Sequence, residues 1–366
     1  MFERLARLPD DAILGLMAAF RADSDPHKVD LGVGVYRDDQ GRTPVLEAVR
    51  QAEQALLERQ TTKTYVGSAG NADFNQAMER LALGEDHPAL AAGRVRTIQA
   101  PGGCGALRLG AELIRTASPE SVVHVSTPTW VNHVPLLSGS GLKLERYPYF
   151  DPSTGGVQFE AMLAALERLS ARAVVLLHAS CHNPTGADLT EGQWHELLTL
   201  FKQRQLLPFI DIAYQGLGSG VAQDAFGIRL FCAQLPEVAV AASCSKNFGL
   251  YRERTGALHV ISETPAAADA VLSQLVRTAR SIYSMPPDHG AAIVHNVLAD
   301  NALRELWVDE VAGMRRRLQG LRQQVLELRT RHHIYMTDDS RMNIAGLRED
   351  NLEYFAHAVA RVLKAR

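Results

Sequence analysis

The chain has 366 residues, of which 46% are hydrophobic and 22% are charged, and its formal net charge is −3. This length exceeds the roughly 250–300 residues that one hydrophobic core usually serves, so we expect a large domain and a smaller one. A net charge near zero gives no electrostatic reason to bind nucleic acid or an anionic membrane. The composition is ordinary for a soluble globular enzyme.

The cysteines and the N-terminal segment indicate the cellular compartment of the protein. Cys104, Cys181, Cys232 and Cys244 form no Cys-x-x-Cys pair and are too sparse for a disulfide framework. The apolar segment 12–20 follows two aspartates, whereas a secretory signal begins with positive charge. No window approaches the ~18 apolar residues of a membrane span. We therefore expect a cytoplasmic protein.

Apolar segments rich in valine and leucine alternate with segments of helical spacing along the middle of the chain. The strand-like segments are 121–128, 172–180, 208–216, 237–245 and 256–263, and the helical ones include 158–169 and 191–205. Near-continuous apolar strands that alternate with helices predict a largely parallel sheet with helices on both faces. The predicted fold class is therefore α/β, with a large domain over residues 44–300.

The pattern changes on either side of this domain. Residues 302–331 predict one long helix, and 351–363 predict another near the C-terminus. We expect residues 1–43 to pack with residues 301–366 as the smaller domain.

Polar residues gather directly after the apolar strands, where open parallel sheets bind their ligands. They include Asp211, Tyr214, Ser243, Ser245 and Lys246. A lysine at the end of a strand is often only a solvated surface residue. A buried lysine, by contrast, must be paired, neutralised or covalently engaged. The position alone leaves both interpretations open.

The neighbours of Lys246 favour a ligand. The two serine hydroxyls, the guanidinium of Arg254 and the glycine-rich segment 101–113 could together hold a phosphate. Asp211 and Lys246, on successive strands, could bracket an aromatic nitrogen base. A lysine that bonds covalently, an acidic partner for a ring nitrogen and a phosphate cradle are what pyridoxal phosphate needs.

Six segments, in order along the chain, carry a family resemblance. They are TTKTYVG at 61–67, PGGCGALR at 101–108, CHNPTG at 181–186, DIAYQG at 211–216, SKNFGLYRERTG at 245–256 and SRMNIAG at 340–346. With them the chain resembles class I aminotransferases of the aspartate and aromatic amino-acid type. The resemblance implies the fold-type-I architecture, a large domain with a mostly parallel seven-stranded sheet and a smaller α+β domain. It also implies pyridoxal phosphate as cofactor.

The resemblance implies a role for each residue around the cofactor ring. Lys246 would bind the cofactor covalently and move the proton of the substrate Cα. Asp211 would pair with the pyridine nitrogen, and Trp130 would stack on the ring. Tyr214 and Asn183 would hydrogen-bond the phenolic oxygen of the ring.

The same resemblance assigns the cofactor phosphate and a second subunit. The phosphate would contact Gly103, Cys104, Ser243, Ser245 and Arg254. Tyr65 would reach the phosphate from a partner subunit, which implies a homodimer. The family commonly has threonine where this chain has Cys104, so a weak thiol donor replaces a hydroxyl. We expect somewhat weaker cofactor retention as a result.

Two arginines are implied in substrate recognition, because a planar guanidinium grips a carboxylate with two hydrogen bonds. Arg341 would hold the α-carboxylate, and Arg280 would bind the distal carboxylate in the partner subunit's site. Gly34 would lie over the substrate on the smaller domain, and Trp130 and Asn183 would also bind the substrate. The implied reaction moves an amino group from L-aspartate, L-glutamate or an aromatic amino acid to a 2-oxo acid such as 2-oxoglutarate.

Two alternatives remain at this point. One is another pyridoxal-phosphate enzyme such as a decarboxylase or lyase, which the paired Arg280 and Arg341 disfavour. The other is a cofactor-binding relative with weak or no activity. It stays open because about thirty residues of the family's small domain, enough for two strands, are absent near residue 325.

Two further patterns predict local structure only. His178 and His182, with Cys181 between them, would suit a metal on a helix, but the segment is predicted as a strand that enters a loop. We therefore expect no metal. The GLGSG sequence at 216–220 lacks the strand-loop-helix context of a nucleotide site and predicts a turn.

Overall fold

The computed structural model describes residues 2–7, 20–25, 34–332 and 349–364. The chain divides into two units, Met1–Pro44 and Val45–Arg366. In the first unit, the carboxylate of Asp38 accepts hydrogen bonds from the backbone N–H groups of Gln40 and Arg42, both at 2.9 Å, and so closes a surface turn. The second unit contains the sheets described below.

The described residues of the second unit form a seven-stranded sheet and a two-stranded one. The strands are β1 (Val95–Pro101), β2 (Val122–Thr127), β3 (Lys143–Pro148), β4 (Phe150–Asp151), β5 (Gly156–Val157), β6 (Val174–His178), β7 (Leu207–Ile212), β8 (Val238–Ser243) and β9 (Thr255–Ile261). The large sheet has the order β1-β9-β8-β7-β6-β2-β3. In this sheet β9 runs antiparallel to both of its neighbours, β1 and β8, and the remaining neighbouring pairs are parallel. The predicted mostly parallel seven-stranded sheet is therefore confirmed.

Helices lie in several of the connections between strands and also precede β1 and follow β9. They are α1 (Glu47–Arg59), α2 (Ala72–Leu83), α3 (Pro88–Ala91), α4 (Gly102–Ala117), α5 (His133–Ser138), α6 (Phe159–Leu166), α7 (Glu191–Arg204), α8 (Phe226–Gln234), α9 (Pro265–Ile282), α10 (His289–Ala299), α11 (Asn301–His332) and α12 (Glu349–Lys364). The long helix and the C-terminal helix predicted from the sequence correspond to α11 and α12. None of the described helices is both long enough and apolar enough to cross a membrane.

The core lies where helices cover both faces of the sheet. Every residue of β8 and β9 is buried, which explains why these strands are nearly continuous apolar runs in the sequence. Helix α4 packs so closely on β7 that a Cβ on Gly110 would overlap the ring of Phe209. A glycine is therefore required at this point of contact.

The strand register aligns the ends of β6, β7 and β8. His178 pairs with Asp211, and Asp211 pairs with Ala241. The loops that follow these strands therefore begin side by side at one edge of the sheet. They carry Asn183, Tyr214 and Lys246 respectively.

Candidate active site

Lys246 lies in the turn that follows β8, with its Nζ 5.1 Å from the centre of the Tyr214 ring. Burial lowers the pKa of Lys246 below its ordinary value, although the negative charge of Asp211 opposes this effect. A larger fraction of the amine is therefore neutral near physiological pH. The neutral amine is the form that attacks a carbonyl carbon.

Tyr214 follows β7, and its hydroxyl oxygen accepts a hydrogen bond from Nδ2 of Asn183 at 3.3 Å. Burial, aided by the charge of Asp211, raises the pKa of Tyr214 to about 12. The phenol therefore stays protonated at neutral pH and can donate its own proton. Together the amide and the phenol present two donors on one side of Lys246.

Asp211 is buried at the end of β7, and Oδ2 of its carboxylate accepts a hydrogen bond from Nε2 of His133 at 3.1 Å. Burial raises the pKa of Asp211, but the His133 hydrogen bond and the nearby Lys246 outweigh it, so the pKa lies below its ordinary value. The carboxylate is therefore ionised at neutral pH and can pair with a protonated ring nitrogen.

A buried chain of hydrogen bonds leads from Asp211 to the Asn183 loop. His133 Nδ1 lies 2.8 Å from Oγ1 of Thr129, which lies 3.3 Å from Nε2 of His178. His178 Nδ1 in turn accepts the backbone N–H of Asn183 at 3.4 Å. Burial holds the pKa of His178 well below its usual value, so this ring is neutral. One set of neutral tautomers satisfies the whole chain, with His133 Nε2–H donating to Asp211.

Sequence reasoning missed His133 and Thr129. The available signal was their position next to Trp130, a residue to which the family resemblance assigns a role. The Trp130 ring meets the His133 ring edge-on, with centroids 5.2 Å apart. Because Trp130 lies beside His133, which is hydrogen-bonded to Asp211, its ring forms one wall of the site.

A candidate phosphate cradle lies at the N-terminus of α4. A Cβ on Gly102 would stand 2.5 Å from Nη2 of Arg254, and one on Gly103 would stand 3.2 Å from Cβ of Ser243. Nη1 of Arg254 donates to Oγ of Ser245 at 3.4 Å. The absence of a Cβ at these glycines lets the Arg254 guanidinium and Ser243 lie close to the N-terminus of α4, which is a favourable arrangement for an anion.

Sequence comparison identifies the family to which this geometry belongs. Residues 26–328 match the profile of the family described as aminotransferase class I and II. An aromatic-amino-acid aminotransferase of Pseudomonas aeruginosa is 44% identical over 99% of this chain and 98% of its own length. An aspartate aminotransferase of Salmonella typhi is 40% identical over 99% of this chain and 100% of its own.

The chain belongs to the class I and II aminotransferases.

Solved structures agree with this assignment. An aromatic-amino-acid aminotransferase from Burkholderia pseudomallei, covalently bound to pyridoxal phosphate, matches with a TM-score of 0.88 and 42% identity over 100% of both chains. An aspartate aminotransferase from the cytoplasm of Saccharomyces cerevisiae matches with a TM-score of 0.86 and 30% identity over 99% of this chain and 98% of its own. The fold-type-I architecture implied by the motifs is therefore confirmed.

Pyridoxal phosphate is the cofactor of this aminotransferase family. The described residues fit it, because the site combines a half-buried lysine, an ionised carboxylate and a cradle that any Cβ at Gly102 or Gly103 would fill. Lys246, Asp211 and the cradle are separate features, and each would contact a different part of the cofactor.

Cys104 lies in the first turn of α4, beside the cradle. Its Sγ accepts a weak hydrogen bond from Nδ2 of Asn132 at 3.7 Å.

Two predicted site residues of the aminotransferase, Tyr65 and Arg280, are exposed. Tyr65 is 90% exposed. Arg280, at the end of α9, is also exposed and donates to Oγ of Ser284. Gly34 lies in the first unit, and Arg341 lies outside the described residues.

The two weaker sequence patterns have structural explanations. Strand β6 ends at His178 and a loop carries His182, as predicted, and no metal-holding cluster of side chains occurs within the described ranges. The 216–220 turn is confirmed, and it wraps the carboxylate of Asp224. That carboxylate accepts the backbone N–H groups of Gly216, Gly218, Ser219 and Gly220. The glycines serve this turn.

The aligned relatives carry residues that this aminotransferase lacks. The alignments with the Pseudomonas and Salmonella proteins extend over 394 and 396 positions, whereas the chain has 366 residues. The relatives are nevertheless covered almost from end to end, so the difference reflects gaps inside the alignments.

Proposed function

We propose that this aminotransferase moves the amino group of L-aspartate, L-glutamate or an aromatic amino acid to a 2-oxo acid such as 2-oxoglutarate. The observation that carries the proposal is the approach of the Lys246 amine to Tyr214, beside the ionised Asp211. The names of the relatives, which cover aromatic and aspartate aminotransferases, support this choice of donors. They favour neither a lyase nor an inactive relative.

Each side chain of the cluster has a proposed task. When bound, pyridoxal phosphate supplies a carbonyl that combines with amines and a ring that accepts electrons. Lys246 binds the cofactor covalently and, as a neutral amine, takes and returns the proton of the substrate Cα. Asp211 keeps a proton on the ring nitrogen, while Tyr214 and Asn183 donate to the ring oxygen.

The remaining residues bind and orient. Trp130 stacks on the ring, and the phosphate is held by Gly103, Cys104, Ser243, Ser245 and Arg254. Arg341 and Gly34 hold the substrate on the side of the α-carboxylate, and Arg280 binds the distal carboxylate. These roles follow from the motifs, with the described geometry supporting those of the cofactor cluster.

We further propose a homodimer in which Tyr65 and Arg280 complete the partner's site. The supporting observation is that large apolar side chains are exposed in the same part of the chain as Tyr65, namely Val45 at 65%, Leu57 at 81% and Val66 at 38%. A second copy would cover them. A cytoplasmic location is supported by the four free cysteines, which suit a reducing compartment.

The test combines covalent trapping with a half-reaction. Borohydride reduction of the protein loaded with pyridoxal phosphate should fix the cofactor on the peptide that contains Lys246, and Lys246→Ala should abolish this label. L-aspartate and L-phenylalanine should each convert the bound cofactor to its amino form in a single turnover. A label on Lys28, Lys63, Lys143, Lys202 or Lys364 instead would refute the assignment.

A further inference from the structure

Three residues proposed to contact the cofactor ring lie on three different loops. Asn183 follows β6, Tyr214 follows β7 and Lys246 follows β8. Loops are normally the most mobile parts of a fold, yet the chemistry needs these groups in fixed relative positions. Helix α11 contacts all three loops.

Trp307 joins α11 to the Lys246 loop. It is fully buried, and its Nε1 donates to the backbone carbonyl of Asn247 at 2.8 Å. Its ring also stacks on Phe248, with centroids 4.6 Å apart and planes 8° from parallel. Asn247 and Phe248 directly follow Lys246, so the indole fixes the backbone on which that lysine depends.

The next turns of α11 contact the Tyr214 loop. Nη1 of Arg315 donates to the carbonyl of Gly216 at 2.8 Å, and Nε2 of Gln319 donates to the carbonyl of Gly218 at 2.9 Å. A Cβ on Gly216 would stand only 2.7 Å from Cγ1 of Val311, so helix and loop are in direct contact here. Gly216 is two residues from Tyr214, and a charged donor makes the stronger kind of hydrogen bond.

Arg322 lies against the Asn183 loop. Its Nη2 is 3.6 Å from where a Cβ on Gly186 would stand. Burial raises the pKa of Asp188, and the positive charge of Arg322 opposes this rise. The Asp188 carboxylate accepts the backbone N–H groups of Cys181 and His182, at 2.7 and 2.8 Å, directly before Asn183.

These contacts come from one face of one helix. Trp307, Val311, Arg315, Gln319 and Arg322 follow each other at intervals of four, four, four and three residues, which is the spacing of neighbours along a helix surface. We call these five residues the α11 stripe. Glu310 anchors the same helix to the start of α1, where its carboxylate accepts the N–H groups of Glu47 and Ala48.

We propose that the α11 stripe positions Lys246, Tyr214 and Asn183 relative to one another, with Arg315 as the central positioning residue. The inference rests on the proposed function, since it assigns these three residues to the cofactor. The stripe acts through backbone carbonyls and loop packing and touches no reacting atom. Its loss should therefore change how the cofactor is held before it changes whether the protein folds.

The test uses Arg315→Gln, Arg315→Lys, Trp307→Phe and the matched control Arg316→Gln, which removes the same charge from an exposed neighbour. We would measure the dissociation constant for pyridoxal phosphate, the midpoint of the pH titration of the bound cofactor's absorbance, and the melting temperature of the cofactor-free protein. Arg315→Gln should weaken cofactor binding about tenfold. It should also move the titration midpoint to higher pH, because the donors to the ring's anionic oxygen are less well placed.

The other variants make the result specific. Arg315→Lys should recover most of the affinity, since an ammonium can still donate to the Gly216 carbonyl, and Trp307→Phe should weaken binding while keeping the stacking on Phe248. Arg316→Gln should leave the affinity and the titration midpoint unchanged. If the Arg315 and Trp307 variants lower only the melting temperature, the stripe is ordinary packing and the inference is wrong. If the unmodified protein fails to bind pyridoxal phosphate at Lys246, the proposed function fails instead.

Discussion

Nε2 of His133 lies 3.1 Å from Oδ2 of Asp211, and both side chains are buried. The imidazole N–H favours the anionic form of the carboxylate, because a hydrogen bond to a charged oxygen stabilises that form. Oγ1 of Thr129 lies 2.8 Å from Nδ1 on the other side of the His133 ring. The pair therefore fixes the charge that the proposed mechanism requires of Asp211.

Replacing Asp211 by alanine should lower kcat more than it weakens cofactor binding, since its proposed task is to pair with the ring nitrogen. His133→Phe keeps the ring shape but removes the donor, and should lower kcat about tenfold. In an Asp211→Ala background the His133 substitution should have little further effect, because the two act as one unit. Steady-state rates of the two single variants and the double variant decide this. Independent, multiplicative losses would contradict the coupling.

Arg280→Ala should selectively weaken the binding of dicarboxylic substrates. Loss of a bidentate charged contact costs roughly 1.5–3 kcal/mol, and only aspartate and glutamate offer the distal carboxylate. The comparison is kcat/KM for L-aspartate against L-phenylalanine, with Arg277→Ala as a control for charge on the same exposed part of α9. Similar losses of kcat/KM for both substrates would contradict the assignment of Arg280 to the distal carboxylate.

His259 should make the fold sensitive to acid. This histidine is fully buried in β9, its Nδ1 lies 2.7 Å from Oγ1 of Thr97, and burial lowers its pKa to about 4 from 6.5. Between these values the unfolded chain binds the extra proton, so the free energy of unfolding falls as the pH falls. The loss from this group between pH 7 and pH 5 is about 2 kcal/mol.

Urea unfolding at pH 7 and pH 5 tests the role of His259. His259→Asn should reduce the difference between the two pH values, whereas His357→Asn, at an exposed position of α12, should not. An unchanged pH dependence in the His259 variant would show that this ring does not remain neutral in the folded protein.

The absence of the relatives' extra segment should lower the turnover rate more than the affinity for the cofactor. The described cofactor cluster lies entirely before residue 255, whereas Arg341 lies beyond the position near 325 where we predict the gap. A carboxylate clamp displaced by even 1 Å can cost about a hundredfold in rate. Compared with a version that carries the relatives' extra segment, we expect equal loading with pyridoxal phosphate but a slower half-reaction with L-aspartate. Equal rates in the two versions would mean that Arg341 is correctly placed without it.

The sequence predicted the sheet because strands covered on both faces must be apolar throughout, and such runs are visible without a structure. It also predicted which loops carry polar residues, because these follow the runs directly. It could not predict that β9 runs antiparallel to β1 and β8, since hydrophobic periodicity carries no information about strand direction. Chain order likewise does not fix the order of strands across the sheet.

What the sequence by itself selected is the set of residues proposed to bear the chemistry, because Lys246, Asp211, Tyr214 and Asn183 lie in short motifs with a fixed local order. What only the tertiary structure decided is how those residues are supported. The His133 contact to Asp211 spans 78 residues, and the Arg315 contact to Gly216 spans 99. Contacts at such separations depend on strand register and helix packing across the whole unit, which no local pattern encodes.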